Sequence, residues 1–216
     1  MSKLYFKYGV MGSSKTAQAL MCKFNYEQQN FEVLLIKPSL DTRNKNSNGD
    51  IIVKSRIGLE SKCYAVDKNE NLYNFVSEKT QFKPDSVVIV DECQFLTTEQ
   101  VNELKEVSTK IPVLCYGLLT NFKTELFEGS KRLVEIADSL MEIKAVCACG
   151  KKATVNGRFV NNKLVTEGKE IFLGGEECYR PLCYNCYINL KKEAEQWKSY
   201  YFMHVVLPAV AEWSLN

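Results

Sequence analysis

Residues 8–17 read YGVMGSSKTA, and the segments on either side leave few folds open. KLYFK, residues 3–7, reads as a short strand. After the loop, Ala17, Leu20, Met21 and Phe24 recur at helical spacing and predict one buried helix face. A strand, a lean loop and a helix in succession frame a phosphate-binding pattern. Gly9 opens it, and Lys15 and Thr16 close it. Ser14 stands where G-x-x-x-x-G-K-[ST] asks for a second glycine. Such a loop binds phosphate because its backbone N–H groups point inward at a helix start. Gly12 and Ser13 keep the backbone of Gly9, Val10, Met11, Gly12, Ser13 and Ser14 close to an anion. Lys15 would neutralise the β- and γ-phosphates of ATP, and the Thr16 hydroxyl would hold Mg²⁺. The small Ser14 side chain points to weakened or altered phosphate binding rather than none. The alternative is a helix-capping turn that matches the pattern by chance.

The rest of the chain keeps the same rhythm. FEVLLI (31–36), SVVIV (86–90) and PVLCYG (112–117) are apolar runs of the kind buried on both faces of a parallel sheet. Helical patterns over 72–79 and 130–140 alternate with them, the latter with Leu133, Ile136, Ala137 and Leu140 turned inward. Thr97 and Gln100 fit a capping box that opens a helix running to about Ser108. KPSLDTRNKNSNGD reads as a long flexible loop. The fold class is therefore α/β: a mostly parallel, P-loop NTPase (RecA-like) sheet with helices on both faces. SVVIV ends on Asp91 and Glu92, at the strand end where ligands gather in open sheets. Asp91 is expected to order Mg²⁺ beside the phosphate loop, and Glu92 to act as general base. The plain alternative is an acid that caps the next turn.

From about Val146 cysteines, glycines and short β-prone pieces such as RFV and KLV replace the αβ alternation. The expected division is 1–145, an ATP-binding domain; 146–190, a small metal-binding domain; and 191–216, a tail that begins helical. Cys147 and Cys149 form C-x-C, and Cys183 and Cys186 form C-x-x-C. Four thiolates so spaced suit structural zinc, with Cys178 as a spare ligand. The alternative is a set of reduced cysteines packed as small hydrophobes. No apolar stretch has signal-peptide or transmembrane length, which argues for a cytoplasmic protein with reduced thiols. The formal net charge of +2 offers no electrostatic case for a nucleic-acid or membrane partner.

Taken in order, GVMGSSKT, LDTR, SRIGL, VDECQF, CYGLLTNF, LFEGS and LGGEECYRPLCYNC resemble the thymidine kinases of animal cytosol, bacteria and large DNA viruses. The resemblance spans residues 3 to about 190. It implies transfer of the ATP γ-phosphate to the 5′-hydroxyl of thymidine or deoxyuridine, a structural zinc, a homotetramer and feedback by dTTP. It also implies the following roles: Glu92 and Lys15 for catalysis, and Asp91, Glu92, Cys93 and Gln94 as the strand-end motif serving Mg²⁺ and ATP. Met11 would lie near the thymine base, and Leu118, Phe122 and Phe127 would wall the nucleoside pocket. Gly174, Gly175 and Tyr179 would belong to a lasso that closes over the base, and Asp41 and Arg43 would lie close to phosphate transfer. Two further readings stay open. One is a non-catalytic relative, crippled at Ser14, that serves as a regulatory subunit. The other is a nucleic-acid-stimulated ATPase, for which the chain is short of a second motor domain.

Overall fold

The computed structural model describes residues 3–40, 50–168 and 179–201, with side chains as far as residue 196. Along the chain the elements are β1 (Leu4–Tyr8), α1 (Lys15–Glu27), β2 (Glu32–Pro38), β3 (Ile52–Lys54), β4 (Glu60–Lys62), β5 (Tyr64–Val66), α2 (Leu72–Thr80), β6 (Ser86–Val90), α3 (Thr98–Val107), β7 (Val113–Gly117), α4 (Glu128–Ile136) and β8 (Ser139–Glu142). The last third adds β9 (Ala145–Val146), β10 (Lys152–Ala153), β11 (Val155–Val160), β12 (Lys163–Val165), β13 (Tyr179–Leu182) and α5 (Tyr184–Tyr201).

Six parallel strands form the central sheet in the order β5-β2-β6-β7-β1-β8. Every residue of β6 and β7 is buried, because helices cover both faces. On one face Leu72 and Val76 of α2, Val101, Leu104 and Val107 of α3, and Leu133 of α4 pack on Leu34, Ile36, Val88 and Val90. On the other face Ala19 and Leu20 of α1 pack on Leu35, Val87, Ile89 and Tyr116. Fully burying one such aliphatic side chain is worth about 1.5–3 kcal/mol, so these two layers supply the main stabilisation. The strand that carries Asp91 lies one strand away from the strand that feeds the phosphate loop, with β7 between them.

The capping box is present in full. Thr97 Oγ1 accepts from Gln100 N–H, and Gln100 Oε1 accepts from Thr97 N–H, both at 3.2 Å. Two expectations need correction. The helix expected over 130–140 stops at Ile136, and Leu140 instead lies on β8, paired with Phe6 of β1. Asp138 breaks the helix by accepting Leu4 N–H at 2.7 Å while Lys105 donates to its other oxygen at 2.6 Å. The inner face of α1 matches the expected one only in part: Ala17 and Leu20 are buried as expected. Met21 and Phe24 are exposed, whereas Ala19, Cys22 and Tyr26 pack inward with Leu20. Apolar residues occupy both sides of this helix, so spacing alone selects only part of the buried stripe.

Beyond β8 the chain builds two small antiparallel sheets, β9 with β10 and β11 with β12 and β13. RFV and KLV lie on β11 and β12, as expected. The α5 helix runs through residue 191, where the tail was expected to start. Among the described residues no helix is long and apolar enough to cross a membrane. Asp41, Arg43, Gly174, Gly175 and Cys178 lie outside the described residues, as does most of the polar loop after β2.

Candidate active site

The site is assembled at the carboxyl ends of β1, β7 and β6. Glycine is required at two places there by close approach. A methyl group at Gly9 would collide with the Ile143 carbonyl oxygen and Ser13 Oγ. At Gly117 it would lie 2.6 Å from Gln94 Oε1 and 2.7 Å from Cys93 Sγ. Gly12 has φ +76 and Ser14 φ 63, so the loop makes two left-handed turns before α1 begins at Lys15.

The φ of Ser14 explains why a glycine suits the pattern at that position. An L-residue in the left-handed region costs roughly 1–2 kcal/mol, and glycine avoids this cost. Ser14 does not use its hydroxyl as a helix cap. Its Oγ donates to the Ser13 carbonyl at 2.6 Å and accepts from Gln18 Nε2 at 3.3 Å. Ser14→Gly relieves the strain but frees the unfolded backbone, which returns about 0.5–1 kcal/mol of the gain. The variant is expected to be more stable by about 0.5 kcal/mol in denaturant unfolding. A loss of stability would show that the hydroxyl contacts outweigh the backbone strain.

The Lys15 ammonium is turned into the loop, where it donates to the Val10 carbonyl at 2.8 Å. Burial pulls its pKa down, and the charges of Glu92 and Asp91 oppose that pull. The Thr16 hydroxyl lies beside the Asp91 carboxylate and favours its ionised form. Asp91 is 4% exposed, and burial together with the neighbouring Glu92 pushes its carboxyl up to about 7. The loop and the strand-end acids therefore form one electrostatic unit. Lys15, Thr16 and Asp91 offer an ammonium, a hydroxyl and a carboxylate at a helix N-terminus, which is the donor set a magnesium–triphosphate requires.

Glu92 is also left-handed, with φ 53 and ψ 36. Gln94 Nε2 donates to its Oε2, and Gln94 Oε1 accepts Leu118 N–H at 2.9 Å. Gln94, 2% exposed, thus joins the second acid to the loop that follows β7. Cys93 is buried in the core beside Cys115, and burial pushes its thiol pKa well up.

The loop after β7 is ordered by Asn121, whose Oδ1 accepts from the N–H groups of Lys123 at 2.9 Å and Glu125 at 3.1 Å. Phe122 is 1% exposed, with the Arg158 guanidinium 4.0 Å above its ring. Phe127 is buried edge-on to Phe95 at 5.8 Å. Tyr179 pairs in register with Arg158, so it lies on the same side of β11 as the cover over Phe122. Sequence reasoning did not single out Asn156. It is 3% exposed, accepts Met11 N–H at 2.7 Å and donates to the Thr120 carbonyl at 2.9 Å. One amide on β11 thereby fastens the phosphate loop to the loop after β7. The only local signal for it is a polar residue inside an apolar strand.

The sulfur atoms of Cys147, Cys149, Cys183 and Cys186 all lie within 4.8 Å of one another. Cys149 and Cys183 are 3.6 Å apart. A tetrahedral zinc with four thiolates at about 2.3 Å has sulfur–sulfur edges of about 3.8 Å, so the cluster fits that ion. Backbone N–H groups of Cys149 and Cys183 hold the Cys147 thiol down at about 6, which favours the ligating thiolate. The phosphate loop is tied to this module, because Val10 packs in one cluster with Cys147, Val155, Phe159 and Cys183.

The sequence model of the family described as "TK: Thymidine kinase" matches residues 2–187. A thymidine kinase of Zymomonas mobilis subsp. mobilis is 44% identical over 186 residues, covering 85% of this chain and 94% of that protein. A thymidine kinase of Legionella pneumophila (strain Lens) is 42% identical over 187 residues, covering 85% and 88%. One from Streptococcus pyogenes serotype M3 is 40% identical over 192 residues, covering 88% and 98%.

Proposed function

This chain belongs to the thymidine kinase family, and from that premise we propose which of its groups carry out phosphoryl transfer from ATP to the 5′-hydroxyl of thymidine. The single observation that carries the reading is the convergence of Lys15, Thr16, Asp91 and Glu92 at the start of α1. Lys15 and the N–H groups that open α1 bind the β- and γ-phosphates. Glu92 accepts the proton of the 5′-hydroxyl as its oxygen bonds to the γ-phosphorus. The bond from that phosphorus to the β,γ-bridging oxygen breaks, and ADP leaves. Thr16 and Asp91 would hold Mg²⁺, which neutralises phosphate charge when bound.

Met11, Leu118, Phe122, Phe127 and Tyr179 are assigned to the nucleoside site. The Asn156 bridge between the Met11 and Thr120 backbones and the Arg158 cover on Phe122 support that grouping. A flat, weakly polar base needs apolar walls and a few backbone groups. Asp41, Arg43, Gly174 and Gly175 keep the roles that the resemblance implies. The four cysteines would hold a structural zinc that fixes the β9–β10 and β11–β12–β13 sheets beside the phosphate loop. Family membership also supports a cytoplasmic homotetramer, deoxyuridine as a second substrate and feedback by dTTP. The near-neutral charge supports the absence of a nucleic-acid partner.

The test is turnover of the purified chain with thymidine, ATP and Mg²⁺. Equal amounts of dTMP and ADP are expected. ATP binding without any thymidine phosphorylation would overturn the reading in favour of a regulatory relative.

A further inference from the structure

The β3–β4 hairpin carries SRIGL and has had no part in the chemistry so far, yet it is firmly built. Lys37 on β2 is 1% exposed and donates to the Ile52 carbonyl at 3.1 Å, which ties the hairpin to the sheet. Ser55 closes the tip. Its backbone N–H donates to the Leu59 carbonyl at 2.8 Å, and its Oγ accepts Leu59 N–H at 3.0 Å. Gly58, at φ +86, supplies the left-handed turn. These bonds fix the direction in which Arg56 leaves the tip. A methyl group added at Gly12 would lie 3.6 Å from Arg56 Nη1. The guanidinium therefore hangs over the phosphate loop, beside Gly12. Arg56 and the N-terminus of α1 flank the same phosphate loop. A polyanion held by that loop would be attracted to both.

We propose that Arg56 is a phosphate-contacting residue of the transfer reaction, closing on the β- and γ-phosphates of ATP from the hairpin side, across the loop from Lys15. This rests on the thymidine kinase reading above. The planar fork of arginine suits phosphate oxygens in a way that a lysine point charge does not. The contact strengthens as charge gathers on the transferred group, so its effect falls on kcat.

The full-length enzyme is compared with Arg56→Gln and Arg56→Lys, both in turnover and in equilibrium ATP and AMP binding without thymidine. Arg56 is exposed, so both variants are expected to melt with the parent. Arg56→Gln is expected to lower kcat on the order of 100-fold, with KM for thymidine changed by less than about twofold. Arg56→Lys should recover less than about a tenth of the loss. Guanidinium ion should partly restore turnover in Arg56→Gln alone. ATP affinity should fall while AMP affinity holds. If the parent enzyme turns over and Arg56→Gln matches it within about threefold, the assignment of Arg56 is overturned and the kinase reading stands. If the parent does not phosphorylate thymidine, the kinase reading falls. The ATP titration then decides Arg56 on its own, and equal ATP affinity in parent and variant overturns the assignment.

Discussion

Glu92→Gln is expected to lower kcat for thymidine by about 10²- to 10⁴-fold, with KM for ATP and thymidine little changed. The substitution keeps the size of the side chain and an oxygen that can accept from Gln94 Nε2. It removes the negative charge and with it the capacity to take a proton. The backbone at residue 92 is left-handed, so the direction of the side chain is set by the strained turn after β6 rather than by side-chain freedom. Gln94, buried and bonded to both Glu92 and Leu118 N–H, holds that direction relative to the loop after β7. Geometry therefore survives in the variant and chemistry does not, which places the loss in kcat. Turnover within about threefold of the parent would show that another group, or water, takes the proton.

What the sequence made legible here was local. The capping box at Thr97 and Gln100, the apolar run of β6 and the strand–loop–helix around Lys15 each depend on residues a few positions apart. The illegible parts depend on partners distant in sequence. β8 is an exposed edge strand, with Leu140 and Met141 half open to solvent, so it lacks the buried run that identifies β6 and β7. It is a strand because β1 is there to pair with it. The carboxylate of Asp138, taken up by Leu4 and Lys105, ends α4 where the residue pattern alone would continue it. The clamp of Asn156 on Met11 and Thr120 joins segments 145 and 36 residues away from it. No pattern in either segment announces the other. The hairpin over the phosphate loop is similar: the placement of Arg56 beside Gly12 is a tertiary fact.

Asp91→Asn is expected to abolish magnesium-dependent turnover, by about 10³-fold or more, and to stabilise the ligand-free protein at the same time. The two effects have one cause. Asp91 is buried, and burial followed by the charge of Glu92 pushes its carboxyl up to about 7. An unfolded chain releases that proton near about 3.9. Between these values the native state holds the proton longer, so stability falls as pH rises through the window and reaches its floor above 7. At that floor the buried carboxylate costs on the order of 4 kcal/mol. Asparagine removes the charge and keeps the size of the side chain, at a loss of about 1 kcal/mol in hydrogen bonding. A net gain of about 2–3 kcal/mol is expected in denaturant unfolding at pH 8, without nucleotide or metal. At pH 5 the native carboxyl is already protonated, and the gain should shrink to about 1 kcal/mol or less. The cation that would be held by Thr16 and Asp91 favours the ionised form, so magnesium–ATP binding should release a proton near neutral pH. Equal stabilities at pH 8 would mean that Asp91 is not held against its own charge. The site would then have been arranged without the conflict that makes an empty phosphate loop unfavourable and a filled one stable.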